Sequence, residues 1–119
     1  MTDGEKKKPL EWITVKKNER IVLHRTADIR HIEASANYAV LQFERERETI
    51  RETMENLERN LDSQIFIRIH RSTIVNVNFI KEVQTWFQNE HRGVMKNGRE
   101  ITQNSRYRAA CNKFLNGGD

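Results

Sequence analysis

The feature that most constrains the fold is the run at residues 66–76, which reads Phe-Ile-Arg-Ile-His-Arg-Ser-Thr-Ile-Val-Asn. Its period of two predicts a β-strand with isoleucines on one face and with Arg68 and His70 on the other. The isoleucines are Ile65, Ile67 and Ile69. Arg71 and Ser72 follow where this strand ends. A guanidinium there offers five donors in a rigid fork, which suits a guanine edge or a phosphate.

Other short runs of β-branched and aromatic residues predict a chain built mainly from strands. The predicted strand segments are Trp12–Val15, Arg20–His24, Asp28–Tyr38, Ala39–Phe43, Phe79–Phe87, Val94–Lys96 and Arg99–Ile101. The pair Asn97-Gly98 predicts a two-residue type I′ turn that would place Val94 opposite Ile101.

Two short helices complete the prediction. Thr53 is a good N-cap for a helix whose apolar residues Met54, Leu57 and Leu61 share one face. Ser105 is a good N-cap for a last helix with a similar apolar face. The members of that second face are Tyr107, Cys111, Phe114 and Leu115. The resulting fold class is mainly antiparallel β, with two short helices.

Length and composition are those of one domain without a membrane span. The chain has 119 residues, of which 36 % are hydrophobic and 32 % charged, and no apolar run approaches the roughly 20 residues of a membrane-spanning helix. We expect a flexible charged tail at residues 1–10 and a folded domain at 11–116. The start of the chain lacks the apolar stretch of a signal peptide, and Cys111 is the only cysteine, so we expect a cytoplasmic protein.

The net charge of +4 is unevenly distributed. Residues 1–61 contain 12 Lys/Arg and 12 Asp/Glu, whereas residues 62–119 contain 9 and 5. A positive surface favours a polyanion such as nucleic acid, because binding releases condensed counterions. A solvated surface with a chance imbalance explains the same numbers, so charge alone does not decide between these interpretations.

The run at residues 66–76 resembles the central signature of the LytTR family of DNA-binding domains, Phe-x-Arg-x-His-Arg-Ser followed by Val-Asn. Three further elements resemble the family in the expected order. They are the Ile-Glu-Ala stretch ending in Asn-Tyr at 32–38, the short helix at 53–61, and the hairpin at 97–98 followed by Ser105-Arg106. The resemblance covers about residues 12–115.

This resemblance implies an elongated arrangement of small antiparallel sheets whose loops enter successive major grooves of duplex DNA. It also implies that three elements of the domain face the DNA, that two copies of the domain bind paired repeats, and that the duplex is bent. Those elements are the loop of Asn37 and Tyr38, the strand end of His70, Arg71 and Ser72, and the corner of Ser105 and Arg106. The predicted partners are therefore double-stranded DNA and a second copy of the chain on DNA, with no membrane partner.

Four of these candidate contact residues, Arg71, Asn37, His70 and Arg106, also have a structural interpretation. Arg71 could form a salt bridge with one of the many glutamates, and Asn37 could serve the turn through its backbone preferences. Its amide also matches the edge of adenine. His70 is predicted to support Arg71 rather than to read a base. Arg106, in the first turn of its helix, opposes the helix dipole, which favours a role outside the fold.

Chemistry other than DNA binding has little support in the sequence. The four histidines have no metal-ligand spacing with one another or with the cysteine, and no glycine-rich phosphate loop is present, so we predict neither an enzyme nor a cofactor or metal site. Two alternatives to duplex DNA binding stay open: RNA binding through Trp86 and Phe87, and protein binding at an open sheet edge. The polar Thr102-Gln103-Asn104 stands where LytTR domains usually have an apolar stretch before Ser-Arg, so this corner departs from the family pattern.

Overall fold

The computed structural model describes residues 8–85 and 91–102, and these form ten strands and one α-helix in three antiparallel sheets. The strands are β1 Trp12–Lys17, β2 Arg20–Arg25, β3 His31–Ser35, β4 Tyr38–Gln42, β5 Arg47–Ile50, β6 Phe66–His70, β7 Thr73–Asn76, β8 Ile80–Thr85, β9 His91–Met95 and β10 Glu100–Thr102. Helix α1 is Met54–Asn60, and single 3₁₀ turns lie at Thr26–Asp28 and Val77–Phe79. The mainly β prediction is confirmed. The second predicted helix, from Ser105 onward, lies outside the described residues.

The largest sheet organises the domain. This central sheet has the order β5-β4-β3-β7-β6, and the other two are the β1-β2 hairpin and a three-stranded sheet of order β10-β9-β8. Strand β3 pairs with both β4 and β7, so it joins segments that are about 35 residues apart in sequence. Residues that are distant along the chain therefore meet at the ends of these strands.

Helix α1 covers one face of the central sheet. The Thr53 hydroxyl accepts a hydrogen bond from the amide of Asn56 at 3.1 Å, which is the predicted N-cap. Met54, Leu57 and Leu61 are buried, as the apolar face predicted. They pack with the inward side chains of the sheet, among them Ile32, Ala39, Leu41, Phe66 and Ile74. This cluster is the main core.

Strand β6 is buried on both faces, which is unusual for a strand at the end of a sheet. Phe66 joins the main core on the helix side, whereas Ile67 and Ile69 pack on the opposite face in a second apolar cluster. That cluster also contains Val75, with Val77, Ile80 and Ile101 packed against it. The prediction that Ile65 shares the face of Ile67 is wrong. Ile65 precedes the strand and packs against the main core instead.

A β-bulge interrupts the pairing of β6 with β7. Arg68 pairs with Ile74 and His70 pairs with Thr73, so Ile69 is the extra residue. A bulge bends its strand and redirects the side chains that follow it. This one lies immediately before the turn at Arg71 and Ser72.

The hairpin between β9 and β10 differs from the two-residue turn predicted at Asn97-Gly98. Val94 pairs with Glu100 rather than with Ile101, because the loop has three residues. Within this loop only Gly98 has a positive φ, 89°. The Asn97 side chain accepts a hydrogen bond from the amide of Arg99 at 2.9 Å. A three-residue loop with glycine in the left-handed position explains the one-residue change in register.

The β1-β2 hairpin is joined to the central sheet by a buried carboxylate. Glu48 lies 2.9 Å from Lys17 Nζ and 2.7 Å from His24 Nε2. Burial of Glu48 opposes ionisation, but the hydrogen bonds from Lys17 and His24 outweigh it and lower the pKa of the Glu48 carboxyl. His24, Glu46 and Glu48 are close enough together to share a cation, but the Lys17 ammonium already supplies positive charge there.

The beginning of the described chain is tied to the domain through Leu10. Its amide donates to the carbonyl of Asn60 at 2.9 Å, and its carbonyl accepts from the Thr26 hydroxyl at 2.8 Å. Within residues 8–85 and 91–102, no helix has the length and apolar character needed to cross a membrane.

Candidate nucleic-acid interface

Four of the seven predicted contact residues line one open groove of about 640 Å³ at the end of the central sheet. They are Asn37, Tyr38, Arg71 and Ser72. The walls of the groove come from the β3-β4 hairpin, from the start of α1 and from the turn that follows β6. The groove forms because β3 pairs with β4 on one side and β7 on the other, which brings the two turns together.

Arg68 fixes the position of the turn at Arg71. Its side chain is buried, with 8 % of the residue exposed, and it faces α1. The guanidinium donates to Glu58 at 3.0 Å and to Glu55 at 3.3 Å, and it also donates to the backbone carbonyls of His70, at 3.3 Å, and Arg71. Arg68 thus links the helix to the backbone of the turn. Sequence reasoning did not identify it, although an arginine within a buried strand was a usable signal.

Arg71 is exposed at the mouth of this turn. Its guanidinium makes no hydrogen bond or ion pair with any residue in 8–85 or 91–102, so the alternative of a salt bridge to a glutamate is not observed there. The two nearby carboxylates, Glu55 and Glu58, are engaged by Arg68. The two arginines of the signature therefore differ in role: one is held within the fold, and the other projects from it.

His70 and Ser72 bond to each other across the turn. The amide of Ser72 donates to His70 Nδ1 at 3.1 Å, and the Ser72 hydroxyl lies 2.8 Å from the same atom. Since Nδ1 accepts the amide hydrogen, it carries the lone pair, and any proton on the neutral ring is on Nε2. These bonds brace the backbone on both sides of Arg71.

Asn37 lies in the two-residue turn between β3 and β4, next to Ala36. The positive φ of this turn, 54°, falls on Ala36 and not on Asn37. The comparable turn between β1 and β2 places an asparagine, Asn18, at its positive φ of 51°. In the part of the chain that the structure describes, the Asn37 amide has no hydrogen-bond partner. Asn37 therefore does not serve the turn in the way asparagine usually does.

Arg99 holds the β9-β10 hairpin against the central sheet. Arg99 places Nη1 2.8 Å from His31 Nε2 and donates from Nη2 to Glu33 at 2.6 Å. Burial and the adjacent Arg99 charge lower the pKa of His31, although Glu33 opposes this shift. The neutral imidazole accepts from Arg99, which leaves its buried Nδ1 without a partner among the described residues.

Asn76, the last residue of the signature, is a structural residue that sequence reasoning did not identify. It is fully buried, and its amide donates to the carbonyls of Ile29 at 2.8 Å and Ala27 at 3.2 Å. Its side-chain oxygen accepts from the amide of Asn78 at 2.9 Å. These bonds join the end of β7 to the segment before β3. The predicted contacts Ser105 and Arg106 lie outside the described residues.

The fold matches that of known DNA-binding domains. The family model for the LytTr DNA-binding domain matches residues 19–116. A solved LytTr DNA-binding domain from Bacillus cereus superposes with a TM-score of 0.78 and 25 % sequence identity, covering 89 % of this chain and 97 % of that one. The chain belongs to the LytTr DNA-binding domain family, and it is a DNA-binding domain rather than an enzyme.

Its relatives include named bacterial regulators. The sensory transduction protein LytT of Bacillus subtilis (strain 168) is 32 % identical over 97 residues, which are 82 % of this chain and 40 % of that protein. The transcriptional regulatory protein LytR of Staphylococcus aureus (strain N315) is 45 % identical over 47 residues, which are 40 % of this chain and 19 % of that protein. The chain thus spans less than half the length of these relatives.

Proposed function

We propose that this domain binds specific sequences of duplex DNA and thereby regulates transcription, with the groove of Asn37 and Arg71 as its reading surface. The observation that carries the proposal is the contrast between Arg68 and Arg71. The first arginine satisfies the local carboxylates and carbonyls, and the second is left exposed on a braced turn. Because the backbone of this turn is already held, binding has to order only the Arg71 side chain and not the turn itself, which favours specific recognition.

The chemistry of the exposed groups suits base edges in the major groove. Arg71 can donate two parallel hydrogen bonds to O6 and N7 of guanine, and Asn37 can bond both N6 and N7 of adenine. Ser72 and Tyr38 carry hydroxyls that suit phosphate or sugar oxygens. These assignments predict one or two base contacts at each turn, with phosphate contacts that fix the register.

The remaining parts of the proposal follow from the family. The Ser105-Arg106 corner would provide a third contact, and two copies on paired repeats would occupy successive major grooves. Bending of the duplex would add a dependence on DNA shape. Dimer formation on DNA and a location in the cytoplasm belong to the same proposal.

Selection of the whole chain against a random pool of duplex DNA, at near-physiological salt, tests this function. Enrichment of a short motif, in two copies about one helical turn apart, is the expected result. Binding that is equally strong on every duplex and vanishes as salt rises would contradict it, because such binding is only general attraction to a polyanion. Stronger binding to single-stranded RNA than to any duplex would transfer the function to RNA.

A further inference from the structure

We propose that Arg51 binds a phosphate of the DNA backbone, beside the base that Arg71 contacts. This phosphate subsite rests on the proposed function and adds a contact to its reading surface. Arg51 follows β5, so the subsite lies at the open edge of the central sheet and not on either of the turns that carry the candidate base contacts. It also lines the groove.

The register of the central sheet places Arg51 beside Tyr38. Ala39 pairs with Ile50 across β4 and β5, so the next positions outward set Tyr38 against Arg51. Residues opposite each other in an antiparallel pair have their Cα atoms roughly 5 Å apart. Tyr38 is 44 % exposed, so an aromatic ring and hydroxyl are available next to the guanidinium.

The same row of residues continues across the sheet to Arg71. Tyr38 pairs with Ser35 across β4 and β3. The amide of Ala34 donates to the carbonyl of Ser72 at 2.9 Å, which places Ser35 beside Arg71. The two arginines therefore stand at opposite ends of a single row at the end of the central sheet.

The length of this row matches the dimensions of a DNA groove. Neighbouring strands are about 4.8 Å apart, so three spacings separate the backbones of Arg51 and Arg71 by about 14 Å. The major groove of B-DNA is about 12 Å wide. With Arg71 over a base edge, Arg51 would lie over the sugar-phosphate backbone that borders the groove. Its position therefore favours a phosphate over a base.

The charges around the groove leave Arg51 available for an anion. Arg51 is exposed and has no ion pair with another residue of the described ranges. The neighbouring Glu52 carboxylate accepts from the Thr53 amide at 2.9 Å and from the Asn56 side chain at 3.0 Å. Those hydrogen bonds lower the pKa of Glu52 more than its slight burial raises it. The other carboxylate of the groove, Glu55, pairs with Arg68.

The test is the salt dependence of DNA binding by Arg51→Gln, measured on the full chain. Two probes are used, the duplex recovered by selection and a shuffled duplex of the same length. Loss of one phosphate contact should lower the slope of log K against log salt by about 0.9, and should weaken binding about five- to ten-fold at about 0.1 M salt. We expect the same loss on both probes, with the selected motif unchanged.

Arg45→Gln is the matched control, because it removes the same charge from the exposed turn between β4 and β5, at the far end of these strands. For Arg45→Gln, the slope of log K against log salt should equal that of the unmodified chain. Arg51→Lys should retain most of that slope because it keeps the charge. An unchanged slope for Arg51→Gln would overturn the subsite. So would a changed base preference, since Arg51 would then read a base. Failure of the proposed function would instead appear as equal affinity of the unmodified chain for both probes, and the slope on the shuffled duplex would still decide the role of Arg51.

Discussion

The buried guanidinium of Arg68 donates a hydrogen bond to the backbone carbonyl of Arg71, three residues further along the chain. The same guanidinium donates to Glu58 on helix α1 at 3.0 Å. One side chain thus connects the helix, the end of β6 and the exposed turn. The position of the proposed base contact thus depends on Arg68, a buried side chain that also lines the groove.

Arg68→Lys should weaken recognition while keeping the charge. A lysine ammonium has three donors and no planar fork, so it cannot replace the bonds to the helix and to both carbonyls. We expect a loss of about 1–2 kcal/mol in the free energy of unfolding, measured by urea titration. We also expect reduced discrimination at the base that Arg71 contacts, measured with a panel of single-base variants of the selected duplex.

A double-mutant cycle separates positioning from general destabilisation. In the presence of Arg71→Ala, the Arg68→Lys change should have no further effect at that base, which corresponds to a coupling of about 0.5–3 kcal/mol. Arg59→Lys, on the exposed side of the same helix, should be neutral. Additive effects of the two changes on discrimination would show that Arg68 does not act through Arg71.

Asn76→Ala should be among the most destabilising polar substitutions in the domain. It removes three hydrogen bonds and leaves the carbonyls of Ala27 and Ile29 without their donor. We expect the free energy of unfolding to fall by about 2–4 kcal/mol. Asn78→Ala, at an exposed position two residues away, should change it by about 0.5 kcal/mol or less. Equal effects of the two substitutions would contradict the structural role of Asn76.

His31 should make the stability of the domain depend on pH. Its pKa is lowered in the folded state by burial and by Arg99, so the unfolded chain takes up the proton first as pH falls. Neutral His31 therefore contributes fully to the free energy of unfolding at pH values above the ordinary histidine pKa of about 6.5. This contribution is lost as pH falls through that value towards the pKa of His31 in the folded state. Urea titrations at pH 8 and pH 5 should show a smaller pH-dependent loss for His31→Gln than for the unmodified chain. Identical losses would contradict this assignment, since the other titrating groups are common to both proteins.

Ala36→Gly should stabilise the domain. Ala36 has a φ of 54°, a left-handed conformation in which the alanine Cβ is strained and glycine is not. We expect a gain of about 0.5–1 kcal/mol in the free energy of unfolding. Ser35→Gly, at the end of β3, should instead cost about 0.5–1 kcal/mol, because that position is extended. A loss of stability in Ala36→Gly would show that the turn carries no such strain.

Local patterns predicted the local elements of this fold. Alternation in the run at 66–76 predicted the strand β6, and Thr53 predicted the start of α1, because strand faces and helix caps depend on neighbours within a few residues. The turn at Asn97 and Gly98 shows a limit of prediction from such local patterns. Its type depends on a side-chain bond to Arg99 that the residue pair alone does not reveal.

The arrangement of the candidate site depends more on pairing between strands that are distant in sequence. Asn37 and Arg71 were selected through a family resemblance, but their position on one groove follows from β3 pairing with both of its neighbours. Whether Arg68 or Arg71 is held within the fold depends on how α1 packs on the sheet. Strand periodicity places Arg68 on a face, but it does not show that glutamates from a helix will meet it there.

The most direct test of base recognition by Arg71 is a parallel selection from random duplex DNA with the unmodified chain and with Arg71→Ala. We expect the unmodified chain to enrich a short motif. The variant should fold normally, bind that motif about 1–3 kcal/mol more weakly, and lose preference at one base position while keeping the others. An identical motif from both proteins would show that Arg71 is not a base contact.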